Sequence, residues 1–286
     1  MKRRGWAGVL FIAPALTLLV TFYIAPILYS LRLSFYKVYW TSAEWAGLDN
    51  FIRLIREGLY WDSIRVSAKF LVAILFCDLV ISYLIALGLT RINKRIATSF
   101  RACYYIPVIL SSLVTVSVWR WFLRYGGGAF NTILEGLHLP AVMWLGHPTV
   151  APWALCLIVA GGAIGTSVIL YAAALGQLNT ELLDAARVDG ANEIQIVWHI
   201  ITPLVRPTML YILVINTIGA FQIWETPFLF TEGGPLHSTS TVALTIFNTA
   251  FGKNDYGLAS AMTIVTTLGT LFLAWIFIKK MHFGEG

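Results

Sequence analysis

Residues 179–207 read NTELLDAARVDGANEIQIVWHIITPLVRP and form an acid-bearing stretch between two apolar runs of membrane length. Asn179 or Thr180 can cap a first helix, because their side chains accept hydrogen bonds from free N–H groups at a helix start. Acidic residues in the first turn, such as Glu181, complement the helix dipole. Asp189-Gly190 is a turn dipeptide that would end this helix.

A second short helix is predicted directly after the turn. Asn192, with Gln195 three residues later, fits a capping box, in which each residue's side chain bonds the other's backbone N–H. An apolar stripe then follows at helical spacing, and Pro203 is expected to end it. The stripe consists of Ile194, Val197, Trp198 and Ile201. The whole stretch therefore predicts two short helices at a membrane surface, available for binding by another protein.

The composition predicts an all-α membrane protein. The chain of 286 residues is 58% hydrophobic and 12% charged, whereas soluble domains have about 25% charged residues. Roughly 20 apolar residues cross a bilayer, and uncharged runs (the second broken by Asp78) predict six transmembrane helices. These runs are 5–31, 70–90, 102–119, 151–178, 207–224 and 256–278. The first is too long for a signal peptide and lacks a clear cleavage site, so we expect it to be retained.

Basic residues predict the orientation. Lys2, Arg3 and Arg4 precede the first span, and Lys279 and Lys280 follow the last. The connection 91–101 holds four basic residues and no acidic one. Short basic connections lie in the cytoplasm, so both termini and residues 179–207 are expected there. The net charge of +6 thus reflects membrane topology and does not indicate a nucleic-acid partner.

Several catalytic motifs are missing from the sequence. There is no G-x-x-x-x-G-K-[ST] loop for ATP, no H-E-x-x-H and no G-x-S-x-G. Cys77, Cys103 and Cys156 show no paired spacing, so no disulfide framework or metal site is predicted. We expect neither a catalytic residue nor a cofactor in this chain.

The fifth span offers candidate substrate-pathway residues. Gly219, Gln222 and Thr226 would share one helical side, flanked by Asn216, and Trp224 would belong to a second, aromatic side. Amides bond sugar hydroxyls, while aromatic rings stack on sugar C–H faces. Polar groups inside a span also usually face the bundle or a wet cavity. The alternative is an amide satisfied by another helix of the bundle.

Two further features leave alternatives open. Asp78 lies within a span, where an unpaired charge is costly, so it either relays protons or pairs with a hydroxyl or amide on a neighbouring helix. Gly161 and Gly165 have the spacing that lets two helices approach closely. They would face either a partner and the pathway or another helix of this chain.

Several segments resemble the permease subunits of ATP-binding-cassette (ABC) importers, in the carbohydrate branch of the maltose and glycerol-3-phosphate type. DAARVDGAN at 184–192 resembles the coupling loop of that family. GLDNFIRLI, YYIPVILSSLVTVSVWRWFL, MWLGHP, FLFTEGGP and DYGLASAMTIV resemble other family segments and occur in the family's order. Together they cover nearly the whole chain.

The resemblance implies a type I importer permease fold in a bacterial or archaeal inner membrane. Its implied partners are a second permease, two ATPase subunits that bind ATP and Mg, an external solute-binding protein and membrane lipid. The sequence divides into an amino-terminal part, 1–62, with one span and an outer amphipathic helix, and a five-helix core, 63–281, with the coupling loop at 179–207. The apolar stripe of the amphipathic helix consists of Leu48, Phe51, Ile52, Ile55 and Leu59. The residues expected to contact the ATPase are Glu181, Asp184, Ala185, Ala186, Asp189, Gly190 and Ala191. Asp184 stands where the family has Glu, so this contact is expected to be longer or rearranged.

Two other classes of protein remain as alternatives. An ion-driven carrier would use Asp78, although such carriers often contain repeats and none is visible here. A membrane scaffold that recruits a soluble ATPase without transporting a solute would need only the coupling loop.

Overall fold

The computed structural model describes residues 4–39 and 42–282, so Lys2 and Arg3 lie outside the described residues. The helices are α1 (Arg4–Leu19), α2 (Ala25–Leu33), α3 (Asp49–Arg56), α4 (Gly58–Phe76), α5 (Ser82–Thr90), α6 (Lys94–Ile109), α7 (Ser112–Phe122), α8 (Ala129–Gly136), α9 (Ala151–Leu175), α10 (Thr180–Val188), α11 (Glu193–Ile196), α12 (Thr202–Gln222), α13 (Glu225–Thr231), α14 (Val242–Phe247) and α15 (Tyr256–His282). The wider π-helical turns are Val20–Ile24, Cys77–Ile81, Val197–Ile201 and Asn248–Gly252. Strands β1 (Tyr36–Tyr39) and β2 (Ser42–Trp45) form an antiparallel pair in which Tyr36 faces Trp45.

Within the described residues, five helices are long and apolar enough to cross a membrane. They are Phe11–Leu33, Gly58–Thr90, Ala151–Leu175, Glu193–Gln222 and Tyr256–Lys280. The bent pair α6–α7 makes six if it counts as one span. The prediction of an all-α membrane fold with six spans is confirmed when the bent pair α6–α7 is counted as one span.

The third span is not the single helix predicted over 102–119. Helices α6 and α7 meet at 99°. Pro107 lies inside the last turn of α6 and has no N–H to donate. Ser111 then accepts a hydrogen bond from the backbone N–H of Val114 and caps α7. Local chemistry therefore breaks a run that carries no charge.

Pro203 does not end the second hairpin helix, contrary to the prediction. Helix α11, the turn Val197–Ile201 and α12 form one continuous span, Glu193–Gln222. Pro203 follows the π-helical turn, in the first turn of α12. The backbone N–H of Thr202 reaches the Val197 carbonyl oxygen, to which the Thr202 hydroxyl also donates at 2.8 Å. The wider turn thus places proline where the helix continues after it.

The residue contacts divide the chain into two compact units. The first comprises the described residues up to Tyr60 together with Thr245–Leu268. In it, the buried Asn50 amide donates to the carbonyl oxygens of Ser34 and Tyr36, both at 2.9 Å. Arg53 also forms an ion pair of 2.6 Å with Asp255. These bonds fix α3, which is the predicted outer amphipathic helix. The predicted boundary at residue 62 stays a prediction.

The second unit comprises Trp61–Leu244 and the described residues from Gly269 onward, and α9 lies at its centre. Leu155, Val168 and Tyr171 of α9 are completely buried. At Gly165, an added Cβ would lie 2.1 Å from the Tyr104 carbonyl oxygen, whereas at Gly161 it would meet nothing within 4 Å. Gly165 therefore allows α6 to approach α9 closely. Packing against another helix of this chain was one of the two alternatives for the glycine pair.

Candidate functional site

Residues 180–196, named here the surface hairpin, contain the predicted helix starts and turn, but the second helix continues into the span Glu193–Gln222. The Asn179 side chain, and not that of Thr180, caps α10 by accepting from the Glu181 N–H at 2.9 Å. Asn192 and Gln195 form the expected capping box, with bonds of 2.8 and 2.9 Å. Both helices are thus defined by residues within three positions of their starts.

The turn between the helices requires glycine. Gly190 has φ of +85°, a conformation that residues with a Cβ rarely adopt. The N–H of Ala191 bonds the Ala186 carbonyl oxygen at 3.0 Å, and the Gly190 N–H bonds that of Arg187 at 3.1 Å. This pair of bonds is a Schellman motif, which ends a helix through a left-handed residue.

A chain of ion pairs supports the hairpin, and its long-range members have no signal in the sequence. Arg187 pairs with Asp184 at 2.7 Å within α10, and with Glu193 of α11 at 3.1 Å. Glu193 also pairs with Arg91, after α5, at 2.9 Å. The hydrogen bond from Arg187 to Glu193, followed by that to Asp184, raises the pKa of the Arg187 guanidinium above its usual value. Each pair is solvent-exposed and weak alone, but together they join both hairpin helices to α5.

The hairpin exposes apolar side chains beside these charges. Val188 is 87% exposed and Ile194 71%, and Trp198, two residues after the hairpin, is 67% exposed. Of the predicted docking residues, Ala186 and Ala191 are half-buried and the other five are exposed. Exposed apolar side chains grouped in this way mark a contact with another protein or with lipid.

Asp78 lies in the π-helical turn Cys77–Ile81 and is completely buried. The Asn216 amide of α12 donates to its carboxylate at 2.5 Å. The Ser82 hydroxyl lies 3.5 Å from the same group, and the Ser167 hydroxyl of α9 also bonds it. Asp78 therefore pairs with hydroxyl and amide groups of neighbouring helices, which was the alternative to a proton relay. Asn216 also lines a cavity of about 190 Å³ between α9 and α12.

The remaining pathway candidates do not share one helical side. Helix α12 ends at Gln222, because Ile223 is extended with ψ of 112°. Thr226 belongs to α13, a separate helix, so its predicted alignment with Gln222 is wrong. Gly219 and Gln222 are exposed at the end of α12. Trp224 is 39% exposed, and its ring centroid lies 6.0 Å from that of Phe228.

These features define a multi-pass membrane protein with an ordered hairpin between two of its spans. Residues 79–277 match a family described as binding-protein-dependent transport system inner membrane component. The chain belongs to this family, whose members are the membrane-spanning permeases of ABC transporters.

Similar proteins extend the match over the whole chain. A probable ABC transporter permease, YesP of Bacillus subtilis, is 32% identical over 99% of this chain and 93% of its own length. The trehalose/maltose transport system permease MalF of Thermococcus litoralis is 27% identical over 98% of this chain and 95% of its own. A solved bacterial ABC transporter for import of the acidic polysaccharide alginate has the same fold. Its TM-score is 0.87, with 20% identity over 99% of this chain and 98% of that one.

Proposed function

We propose that this chain is the permease subunit of an ATP-driven importer of a carbohydrate, delivered by an external solute-binding protein. ATP and Mg are bound by a separate ATPase dimer, and a second permease completes the pathway. Both termini and the surface hairpin lie in the cytoplasm. Closure of the ATPase moves the hairpin and, through it, the spans as rigid bodies.

The observation that supports this proposal most directly is the ordered surface hairpin. Exposed Val188, Ile194 and Trp198 offer apolar contact area to the ATPase, and the acidic side chains offer charge. Because Asp184 is already paired with Arg187, its carboxylate holds the hairpin as well as facing the partner. A hairpin fixed by caps and ion pairs transmits motion, whereas a flexible loop would absorb it.

The substrate class is proposed from two observations. The MalF relative is named for transport of trehalose and maltose. The exposed amide of Gln222 and the rings of Trp224 and Phe228 supply the hydrogen bonds and stacking surfaces that a sugar requires. Their exposure where α12 ends and α13 begins fits a cavity whose other wall belongs to the second permease.

The energy source tests the proposed function. The chain is reconstituted in vesicles with its binding protein, second permease and ATPase, and solute uptake is followed. We expect uptake to require ATP hydrolysis and to persist after the proton and sodium gradients are collapsed. Loss of uptake with ATP still supplied would favour the ion-driven carrier. ATP hydrolysis without any uptake would favour the scaffold.

Asp78→Asn separates a structural carboxylate from a proton relay. Asparagine keeps an acceptor oxygen for Asn216 and the serine hydroxyls, so we expect the free energy of unfolding to fall by about 1 kcal/mol or less. Uptake at matched expression should then remain near that of the parent. Abolished uptake by a folded, normally inserted variant would show that Asp78 exchanges a proton.

Gln222→Leu removes a donor and an acceptor at nearly constant volume. Loss of this partner for a sugar hydroxyl weakens binding by about 1–3 kcal/mol. We therefore expect the solute concentration at half-maximal uptake to rise roughly tenfold to hundredfold. Basal ATP hydrolysis should be unchanged. Gln177→Leu is the control, because it removes an exposed amide near the hairpin end of α9. Equal half-saturation in the parent and both variants would assign the Gln222 amide no role in binding.

A further inference from the structure

A second cavity lies beside the base of the surface hairpin and has no part in the proposed pathway. Its volume is about 490 Å³. The end of α5, the start of α6 and the end of α9 surround it, together with Thr180 at the start of α10. This volume is in the range of sites that hold small molecules or head groups.

Arg101 gives this cavity its chemical character. The Arg101 side chain lines the cavity, and its Nε is buried without a hydrogen-bond partner. An unpartnered buried donor on a charged group is costly, so it indicates a site for an acceptor that bears negative charge. None of the lining residues, all within the described part of the chain, is acidic.

The sequence around Arg101 increases the positive potential. Residues 91–101 contain four basic side chains and no acidic one, and one of the four, Arg91, is paired with Glu193. Thr90 and Thr180 add hydroxyl groups to the lining. The Thr90 hydroxyl already donates its proton to the Leu87 carbonyl oxygen at 2.7 Å, so it has none to give to a phosphate. Thr180 lies at the positive end of the α10 dipole. The Arg101 guanidinium, the basic run and this helix start together suit a phosphate oxygen.

The walls of the cavity indicate which phosphate it takes. Leu89, Ile92, Leu175 and Leu178 are also lining residues, and α5 and α9 are parts of membrane spans that end here. Basic pockets between spans at a membrane surface bind anionic lipid head groups. We propose that this cavity binds the phosphate head group of an anionic phospholipid, with Arg101 as the principal ligand.

The site is placed to affect the surface hairpin. A neighbouring cavity of about 340 Å³ is lined by residues that include Arg91, Arg187 and Glu193. It shares Thr90 and Thr180 with the cavity that Arg101 lines. A lipid held by Arg101 therefore stabilises the base on which the ion-paired hairpin stands. This inference does not depend on which solute the protein carries.

The test uses the full chain purified in detergent, with native mass spectrometry and thermal unfolding as measurements. Phosphatidylglycerol, phosphatidylcholine or inorganic phosphate is added to the parent, to Arg101→Gln and to Arg95→Gln. Arg95 is an exposed member of the same basic run and is not a lining residue. We expect Arg101→Gln to retain phosphatidylglycerol at least about fivefold less than the parent, given the attraction of one basic side chain. Arg95→Gln should behave as the parent.

Equal retention of phosphatidylglycerol by all three proteins would overturn the proposal, as would equal stabilisation by phosphatidylcholine. Stabilisation by inorganic phosphate but not by phosphatidylglycerol would show that the site binds a free anion, and would overturn the proposal of a lipid ligand. A measurement on the unmodified chain keeps the test independent of folding of the variants. In nanodiscs, backbone hydrogen exchange of residues 89–101 and 172–180 should be slower with phosphatidylglycerol than with phosphatidylcholine. Identical exchange would contradict the proposal.

Discussion

Replacing Gly190 with valine is expected to abolish both ATP-driven uptake and stimulation of the ATPase, while the subunit still inserts in the membrane. Gly190 has φ of +85°, which costs a β-branched residue on the order of 1–3 kcal/mol. An added Cβ would meet nothing within 4 Å, so the whole effect comes from the backbone. The Schellman bonds at Ala191 and Gly190 should break and change the angle between α10 and α11. Uptake and ATP hydrolysis are measured in membranes with matched amounts of subunit.

Gly190→Asn is the control for this prediction, because asparagine tolerates positive φ better than valine does. It should retain a measurable part of the parent's uptake. Normal uptake by Gly190→Val at normal abundance would show that the hairpin geometry is not needed for coupling. Equal loss in both variants would indicate that any side chain at 190 blocks the contact, independently of backbone strain.

Gly165→Ala is expected to destabilise the membrane bundle strongly. The new methyl group would lie 2.1 Å from the Tyr104 carbonyl oxygen, so α6 and α9 must separate. Inserting a methyl group into packed structure typically costs about 1–3 kcal/mol, and here the obstructing atom belongs to the backbone. We expect a lower thermal unfolding midpoint and a lower amount of the subunit in membranes.

Gly161→Ala provides a matched control one helical turn away. An added Cβ there meets nothing within 4 Å, and alanine favours helix by about 1 kcal/mol over glycine. This variant should be as stable as the parent or slightly more so. Equal destabilisation by both substitutions would mean that helix propensity or membrane insertion, and not the approach of α6, determines the effect.

The features predicted correctly from the sequence depend on residues close together in the chain. The caps at Asn179 and Asn192 and the turn at Gly190 each involve bonds over a few positions, which sequence spacing specifies. The predicted spans follow from composition. Composition specifies how long an apolar segment is and that it avoids water, but not the direction in which its helix axis runs. Composition therefore could not place the bend after Ile109, which depends on Pro107 and on the capping hydroxyl of Ser111.

The features that the sequence could not supply depend on distant residues or on exact helix ends. Arg91 pairs with Glu193 across 102 positions, and nothing in either local pattern indicates the other. Helical spacing places Asn216 beside the side that carries Gly219 and Gln222, and it does not indicate that the Asn216 amide bonds Asp78, 138 positions away. The alignment of Thr226 with Gln222 assumed a continuous helix. One extended residue, Ile223, removes that alignment.

The ion pairs of the surface hairpin make it dependent on a residue outside its own sequence. Residues 180–196 contain Asp184, Arg187 and Glu193, but Arg91 belongs to the preceding part of the core. A chimera that received only 180–196 from this protein would gain three of these charges and lose the fourth. The hairpin is therefore not a portable module. Under the proposed contact with the ATPase, exchanging ATPase specificity between permeases through this segment would require the basic residue after α5 to be exchanged with it.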